Sequence, residues 1–313
     1  MSGLIQFDGL DAAVLPPRPL HLAIGIFDGV HLGHQAVIEA AVQSARRSGG
    51  TAAVLTFDPH PSVLLRPDAP TRLMMNRAAK AQVLAGLGVE AMIVQPFTAE
   101  FAQIAAEEFL PGLKRRLPQL AAVYVGENWK FGRGRGGDIS LLIDAGKKLG
   151  VNVFSAPRVS FDGEPISSSR IRTLIEAGDL AAANALLGYA YFSSGAIAPG
   201  KKLGRTLGFP TLNLAWTPDL RPRFGVYVVR VRGAKSAEAL PGVANYGLRP
   251  TVEKASEPRL EVHVLGECPF DAGDEIMVEW LHFLRAEMKF GGLGTLRAQI
   301  AADRDAAEAF FAR

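Results

Sequence analysis

Between residues 20 and 157 the chain repeats one pattern: a short, wholly apolar run, a turn, and a segment with helical spacing. The apolar runs are LHLAIGIF (20–27), TAAVLTF (51–57), AMIVQPF (91–97), AAVYVGE (121–127) and VNVFSAP (151–157). Helix-like stretches occupy 33–47, 77–87, 100–113 and 138–149. Strands without polar alternation are buried on both faces, and strands separated by helices are joined by crossovers. The pattern therefore calls for an α/β fold, a parallel sheet covered by helices on both sides.

After Ser168 the pattern changes. Residues 168–188 read as two helices broken at Gly178-Asp179. Six strand-like segments follow with Gly and Pro turns and no helix between them: YFSSGAIAPG, TLGFPTLNL, FGVYVVRVRG, LPGVANYG, RLEVHVLG and DEIMVEWLHFL. That is the signature of an antiparallel β-barrel. An amphipathic helix over 296–311 closes the chain. The 313 residues thus suit two domains, 1–186 and 187–313. Hydrophobic residues at 48% and charged residues at 21% exclude a mainly disordered protein. A net charge of +3 is too mild for a duplex-binding surface, so small-molecule partners rather than nucleic acid are expected. The lone Cys268 permits neither an internal disulfide nor a cysteine-based zinc site. No apolar run reaches the ~18 residues of a membrane span, and the N-terminal stretch with Asp8 and Asp11 is a poor signal peptide. A soluble cytoplasmic protein is the expectation; oligomeric state is not legible.

The first candidate site is the loop after the first strand, Gly25-Ile26-Phe27-Asp28-Gly29-Val30-His31-Leu32-Gly33-His34. It opens a helix at the sheet edge where α/β proteins bind ligands. A helix N-terminus offers free N–H groups and partial positive charge to a phosphate. His31 and His34, three apart, share one side of the first turn, and Gly33 admits a close approach. Two imidazoles there suit the charge stabilisation that phosphoryl chemistry requires. With His at 6 and Gly at 33 of 313, His-x-Gly-His arises by chance in roughly 1% of such chains, so the pair is not read as two surface histidines.

Other segments are more ambiguous by residue type. Thr56-Phe57-Asp58-Pro59-His60-Pro61 is either a stiffened turn or a ligand loop. In GENWKFG (126–132), Asn128 is suited to orient a phosphate or a ring edge, and Phe131 offers a stacking face. Gly132–Gly137 satisfies GxGxxG but does not follow its strand directly, as a dinucleotide fingerprint should. ISSSRIR (166–172) is a helix N-cap. Thr211 and Asn213 face one side of a strand: a polar edge, or hard oxygen ligands for Mg²⁺ held with phosphates. Glu261 and His263 likewise share a face, as solvated residues or as a carboxylate able to take a hydroxyl proton.

Taken together, these motifs resemble a known family. GIFDGVHLGH looks like the nucleotide-binding motif of the HxGH nucleotidyltransferases, whose domain is a Rossmann-like parallel sheet. TFDPHP, VGENWKFGRGRGGD and ISSSRIR follow in the order seen in bacterial bifunctional riboflavin kinase/FMN adenylyltransferases, also called FAD synthetases, and GRTLGFPTLN resembles their kinase motif. The resemblance covers nearly the whole chain. It implies ATP, riboflavin, FMN and FAD as substrates or products, with Mg²⁺ as cofactor. In the adenylyltransferase half it implies catalytic His31 and His34, ATP on Gly25, Phe27, Asp28, Gly29, Gly33, Ser168, Ser169 and Arg172, and flavin on Asp58, Pro59, His60, Pro61, Asn128 and Phe131. In the kinase half it implies Glu261 as base, Gly204, Thr211, Asn213 and Arg285 at ATP or flavin, and Thr211 and Asn213 at the metal. Pro199 stands where the family often has His, PFDAGD (269–274) lacks its usual Tyr-Gly, Leu212 replaces an Ala and Tyr246 an aliphatic residue. A chain with one retained activity, its other domain serving as a flavin-binding or regulatory module, is the alternative.

Overall fold

A computed structural model describes residues 3–199, 208–248 and 258–313. Contacts divide the chain into two units, Met1–Ser168 and Ser169–Arg313.

In the first unit, β1 (Ile5–Asp8), β2 (Leu20–Ile24), β3 (Thr51–Asp58), β4 (Ala91–Pro96), β5 (Leu120–Gly126) and β6 (Asn152–Ala156) form one parallel sheet in the order β1-β4-β3-β2-β5-β6. The connecting helices are α1 (Leu32–Ser48), α2 (Pro61–Leu65), α3 (Arg77–Gly86), α4 (Ala99–Ala102), α5 (Ala106–Arg116) and α6 (Ile139–Leu149). Every residue of β2 is buried. Leu20, Leu22 and Ile24 pack on one face with Phe109, Leu113 and Leu142, while Ala23 packs on the other with Ile38, Ala41 and Leu84. This two-sided burial is why the run carries no polar alternation. From β2 the chain moves outward through β3 to β4, then crosses back to β5 on the other side of β2. The order therefore reverses at β2 and β5, and the loop after β2 lies at that switch point.

Three local features depart from expectation. The strand expected over 20–27 ends at Ile24, because Phe27 and Val30 adopt φ of 50° and 35°. The single helix expected over 100–113 is two, α4 and α5. The Ile104 carbonyl between them accepts the Arg133 N–H at 2.7 Å, from a loop distant in sequence, rather than extending a helical ladder. Strand β1 and the exposed hairpin of β7 (Ser160–Phe161) and β8 (Glu164–Pro165) have no counterpart in the sequence reading.

The second unit begins within α7 (Ser168–Ala177), whose first residue belongs to the first unit, and continues with α8 (Leu180–Leu187). Gly178 separates them at φ 85°, and the Asp179 carboxylate caps α8 by accepting the Ala182 N–H. Strands β9 (Phe192–Ala198), β10 (Leu212–Leu214), β11 (Gly225–Gly233), β12 (Ser236–Gly247), β13 (Arg259–Val264) and β14 (Glu275–Arg285) close an antiparallel barrel in the order β10-β13-β12-β11-β14-β9. Tyr227, Tyr246, Val262 and Trp280 are fully buried, and the Trp280 indole N–H donates to Ser193 Oγ at 3.1 Å. The final helix, Leu293–Phe311, starts three residues before the expected 296. Among the described residues no helix is long and apolar enough to cross a membrane.

Candidate active sites

The loop from β2 into α1 gathers the histidines. His31 caps the helix: its Nδ1 accepts the His34 backbone N–H at 3.3 Å. An imidazole accepting at Nδ1 carries its proton on Nε2 when neutral. The two rings stack at 3.6 Å between centroids with an 18° interplanar angle, and Phe27 meets the His34 ring edge-on at 5.3 Å. His31 is only 5% exposed, so its orientation is set by packing. A Cβ on Gly33 would lie 3.2 Å from the His31 ring, tighter than ordinary van der Waals contact.

Asp28 is buried and accepts the Met74 N–H on both oxygens, at 3.0 and 3.3 Å. Its backbone carbonyl accepts the Ser168 hydroxyl at 3.0 Å, a bond within the first unit. Ser169 and Arg172 follow in α7 and belong to the second unit. At the end of β3, Asp58 and Pro59 are exposed, and the His60 ring caps α2 by accepting the Ser62 N–H at 3.0 Å, with Pro61 at the first helical position.

Asn128 and Phe131 separate in the structure. Asn128 is exposed and donates to Glu127 Oε1 at 3.1 Å. Phe131 is 6% exposed, stacked on Trp129 at 4.6 Å and tilted against Phe109 at 5.2 Å. A Cβ on Gly137 would run into the same ring at 2.7 Å. The Phe131 ring thus packs between Trp129 and Phe109. The half-buried Trp129 is the outermost ring of the group. The Arg133–Arg135 turn is exposed and closed by a two-bond bridge between Phe131 and Gly137, a tight loop and not the start of a dinucleotide-binding helix.

In the barrel, Asn213 on β10 and Asn245 on β12 both stand opposite Glu261 on β13. Leu260, Val262 and Val264 of β13 are buried, so Glu261 and His263 project from the opposite face. Directly opposed side chains lie within contact range, which puts an amide, a carboxylate and a second amide in one row. Asn213 Oδ1 is buried without a hydrogen-bond partner among the described residues. Thr211 directly precedes β10, beside Pro210, whose carbonyl accepts from His263 Nδ1 at 2.8 Å. A buried amide oxygen with no partner among the described residues is a hard oxygen ligand of the kind that suits a cation carried in with phosphates. No cluster of three His, Cys, Asp or Glu that could hold a metal by itself occurs among the described residues. Gly204 lies outside them.

Arg285 is engaged in an ion pair. Its Nε and Nη2 donate to the two oxygens of Asp303, at 2.8 and 2.7 Å, and Gln299 adds a third bond to Asp303 at 3.0 Å. Its Nη1 donates to the Ala286 carbonyl. A guanidinium so engaged fastens the C-terminal helix to β14. The 269–274 turn is well formed despite its departure from the expected pattern: Asp271 N–H donates to Asp274 Oδ2 at 2.8 Å, and Lys235 bridges both carboxylates.

A family model described as FAD synthetase matches residues 16–170, and one described as riboflavin kinase matches 187–311. The bifunctional riboflavin kinase/FMN adenylyltransferase of Escherichia coli K12 is 38% identical over 297 residues, covering 95% of this chain and 94% of that protein. The chain belongs to the bifunctional riboflavin kinase/FMN adenylyltransferase family. The Listeria monocytogenes and Bacillus subtilis members are 38% and 36% identical, each over 93% of this chain and 92% of theirs. A solved structure described as a macrolide-efflux protein from Streptococcus pneumoniae superposes over 97% of this chain and 98% of its own, with a TM-score of 0.85 at 28% identity.

Two features of this family member are invisible to motif reading. One is the Arg285–Asp303 clamp, whose partners stand 18 residues apart with no local pattern linking them. The other is Lys80 on α3, buried beneath the histidine loop. A lysine within the apolar face of an amphipathic helix was the available signal.

Proposed function

We propose that the barrel half, 187–313, phosphorylates the ribityl hydroxyl of riboflavin with ATP, giving FMN and ADP. The α/β half, 1–186, then directs the FMN phosphate onto the α-phosphorus of a second ATP, giving FAD and pyrophosphate. The stacked His31–His34 pair at the N-terminus of α1, set at the switch point of the sheet, carries the second assignment. No covalent enzyme intermediate is required. His31 and His34 donate to the oxygens where negative charge builds, aided by the helix N-terminus. Gly25 to Gly33 shape the ATP loop; Ser168, Ser169 and Arg172 hold the departing pyrophosphate; Asp58 to Pro61 and Asn128 face the flavin.

In the kinase half Glu261 accepts the proton of the attacking hydroxyl, and Thr211 and Asn213 hold the phosphates. The unsatisfied Asn213 oxygen supports a place for Mg²⁺ there, where the ion would neutralise phosphate charge. Small-molecule substrates and a cytoplasmic setting accompany this reading, with no role for nucleic acid. The test is to incubate the chain with Mg-ATP and riboflavin and separate riboflavin, FMN and FAD by chromatography. His31→Ala removes a donor to developing charge, so FAD formation falls about 10²–10³-fold while FMN formation is spared. Glu261→Gln does the reverse, by about 10²–10⁴-fold. Loss of both activities from either change in folded protein contradicts two independent sites, and wild-type chain that never yields FMN points to a single retained activity.

A further inference from the structure

We propose that Lys80 is a positioning residue for adenylyl transfer, pinning the ATP-side loop after β2 to the flavin-side end of β3. The proposal rests on the assignment of His31 and His34 above. Lys80 sits on α3 and is 8% exposed. Its ammonium donates to the Ile26 carbonyl at 2.7 Å and to Thr56 Oγ1 at 3.2 Å. Thr56 Oγ1 in turn donates to the same Ile26 carbonyl at 2.9 Å, so one oxygen is held by two donors. Ile26 directly precedes Phe27, the first residue of the loop held at positive φ. Thr56 lies two residues before Asp58 on β3. One side chain thus joins the loop carrying the histidines to the strand that ends at the expected flavin contact.

Charge makes the same case. A lysine is among the residues least often buried, since removing an ammonium from water is unfavourable. Here burial lowers its pKa to about 8, against the opposing fields of Asp28 and Asp58. A methionine would fill the same space without that penalty, so the charge is kept for something other than stability. Adenylyl transfer brings a triphosphate up to a phosphomonoester, both polyanions. The Asp28 carboxylate after β2 and the Asp58 carboxylate at the end of β3 would oppose that approach, and the Lys80 cation, which feels both, offsets their field.

The test uses the full chain with Lys80→Met. Expected are a kcat for FAD formation from FMN lowered about 100-fold, KM values for ATP and FMN held within about threefold, FMN formation unchanged and a Tm that does not fall. A merely structural lysine predicts the opposite pairing, a lowered Tm with kcat preserved below the transition, and that result overturns the proposal. Thr56→Val provides a second reading should Lys80→Met fail to fold: it removes one donor from the Ile26 carbonyl and is expected to lower kcat about tenfold in folded protein, whereas wild-type kcat counts against the pin. His31→Ala is measured alongside. FAD formation that survives His31→Ala sinks the histidine assignment itself; FAD formation lost in His31→Ala but intact in Lys80→Met sinks only the role of Lys80.

Discussion

Replacing Arg285 by alanine separates a substrate contact from a structural clamp. Asp303 is 6% exposed and takes three hydrogen bonds, two of them from Arg285. Without the guanidinium, a buried carboxylate keeps only the Gln299 amide. Removing one partner of a buried pair destabilises by about 3–5 kcal/mol. The Arg285 side chain is 20% exposed, so water screens part of the pair, and about 3 kcal/mol is expected. For a unit of about 145 residues the unfolding entropy is roughly 0.3 kcal/mol per kelvin, so the barrel transition should drop by about 10 °C. Well below that transition FMN formation should retain its wild-type KM for ATP and riboflavin. The double change Arg285→Leu with Asp303→Leu should recover most of the lost stability, because well-packed apolar residues replace a buried pair at little cost. Thermal unfolding by circular dichroism with steady-state assay of FMN formation measures both quantities. An unshifted transition together with a large rise in KM would refute the clamp and return Arg285 to the substrate site.

Two other outcomes follow from packing and titration. Gly33→Ala favours helix by about 1 kcal/mol yet drives a methyl to 3.2 Å from the His31 ring, so FAD formation should fall while chemical denaturation shows no loss of stability. The His21 ring bonds Tyr124 and Ser48 through its two nitrogens, and burial, aided by Arg47, lowers its pKa below 6.5. The unfolded chain then takes up a proton before the folded one does. Stability from this residue is complete above pH 6.5 and is lost as pH falls from there towards the folded-state pKa. Urea titrations of wild type and His21→Gln between pH 7.5 and 5 should converge on the acid side; parallel curves would discount His21.

Much of the candidate site was legible because it is local. The His31–Gly33–His34 spacing places both rings on one turn whatever the remainder of the chain does, and the N-cap at Asp179 is likewise set within four residues. The packing of Phe131 was not legible, because an aromatic in a glycine-rich loop carries no mark of whether Trp129 and Phe109 will enclose it.

Residue order alone determined most of the strands and helices, though not β1 or the β7–β8 hairpin, along with the change from crossovers to hairpins and the motifs that open α1 and α7. Those features depend on periodicity and capping over a few residues, where backbone geometry dominates. Folding in three dimensions decided the order β1-β4-β3-β2-β5-β6, the break between α4 and α5, the burial of Phe131, the Arg285–Asp303 pair and the place of Lys80. Each of these is a contact between segments far apart along the chain: Lys80 and Ile26 are 54 residues apart. Such contacts arise only once the apolar faces have found one another, and no short-range pattern encodes which partner a buried charge or carbonyl will meet.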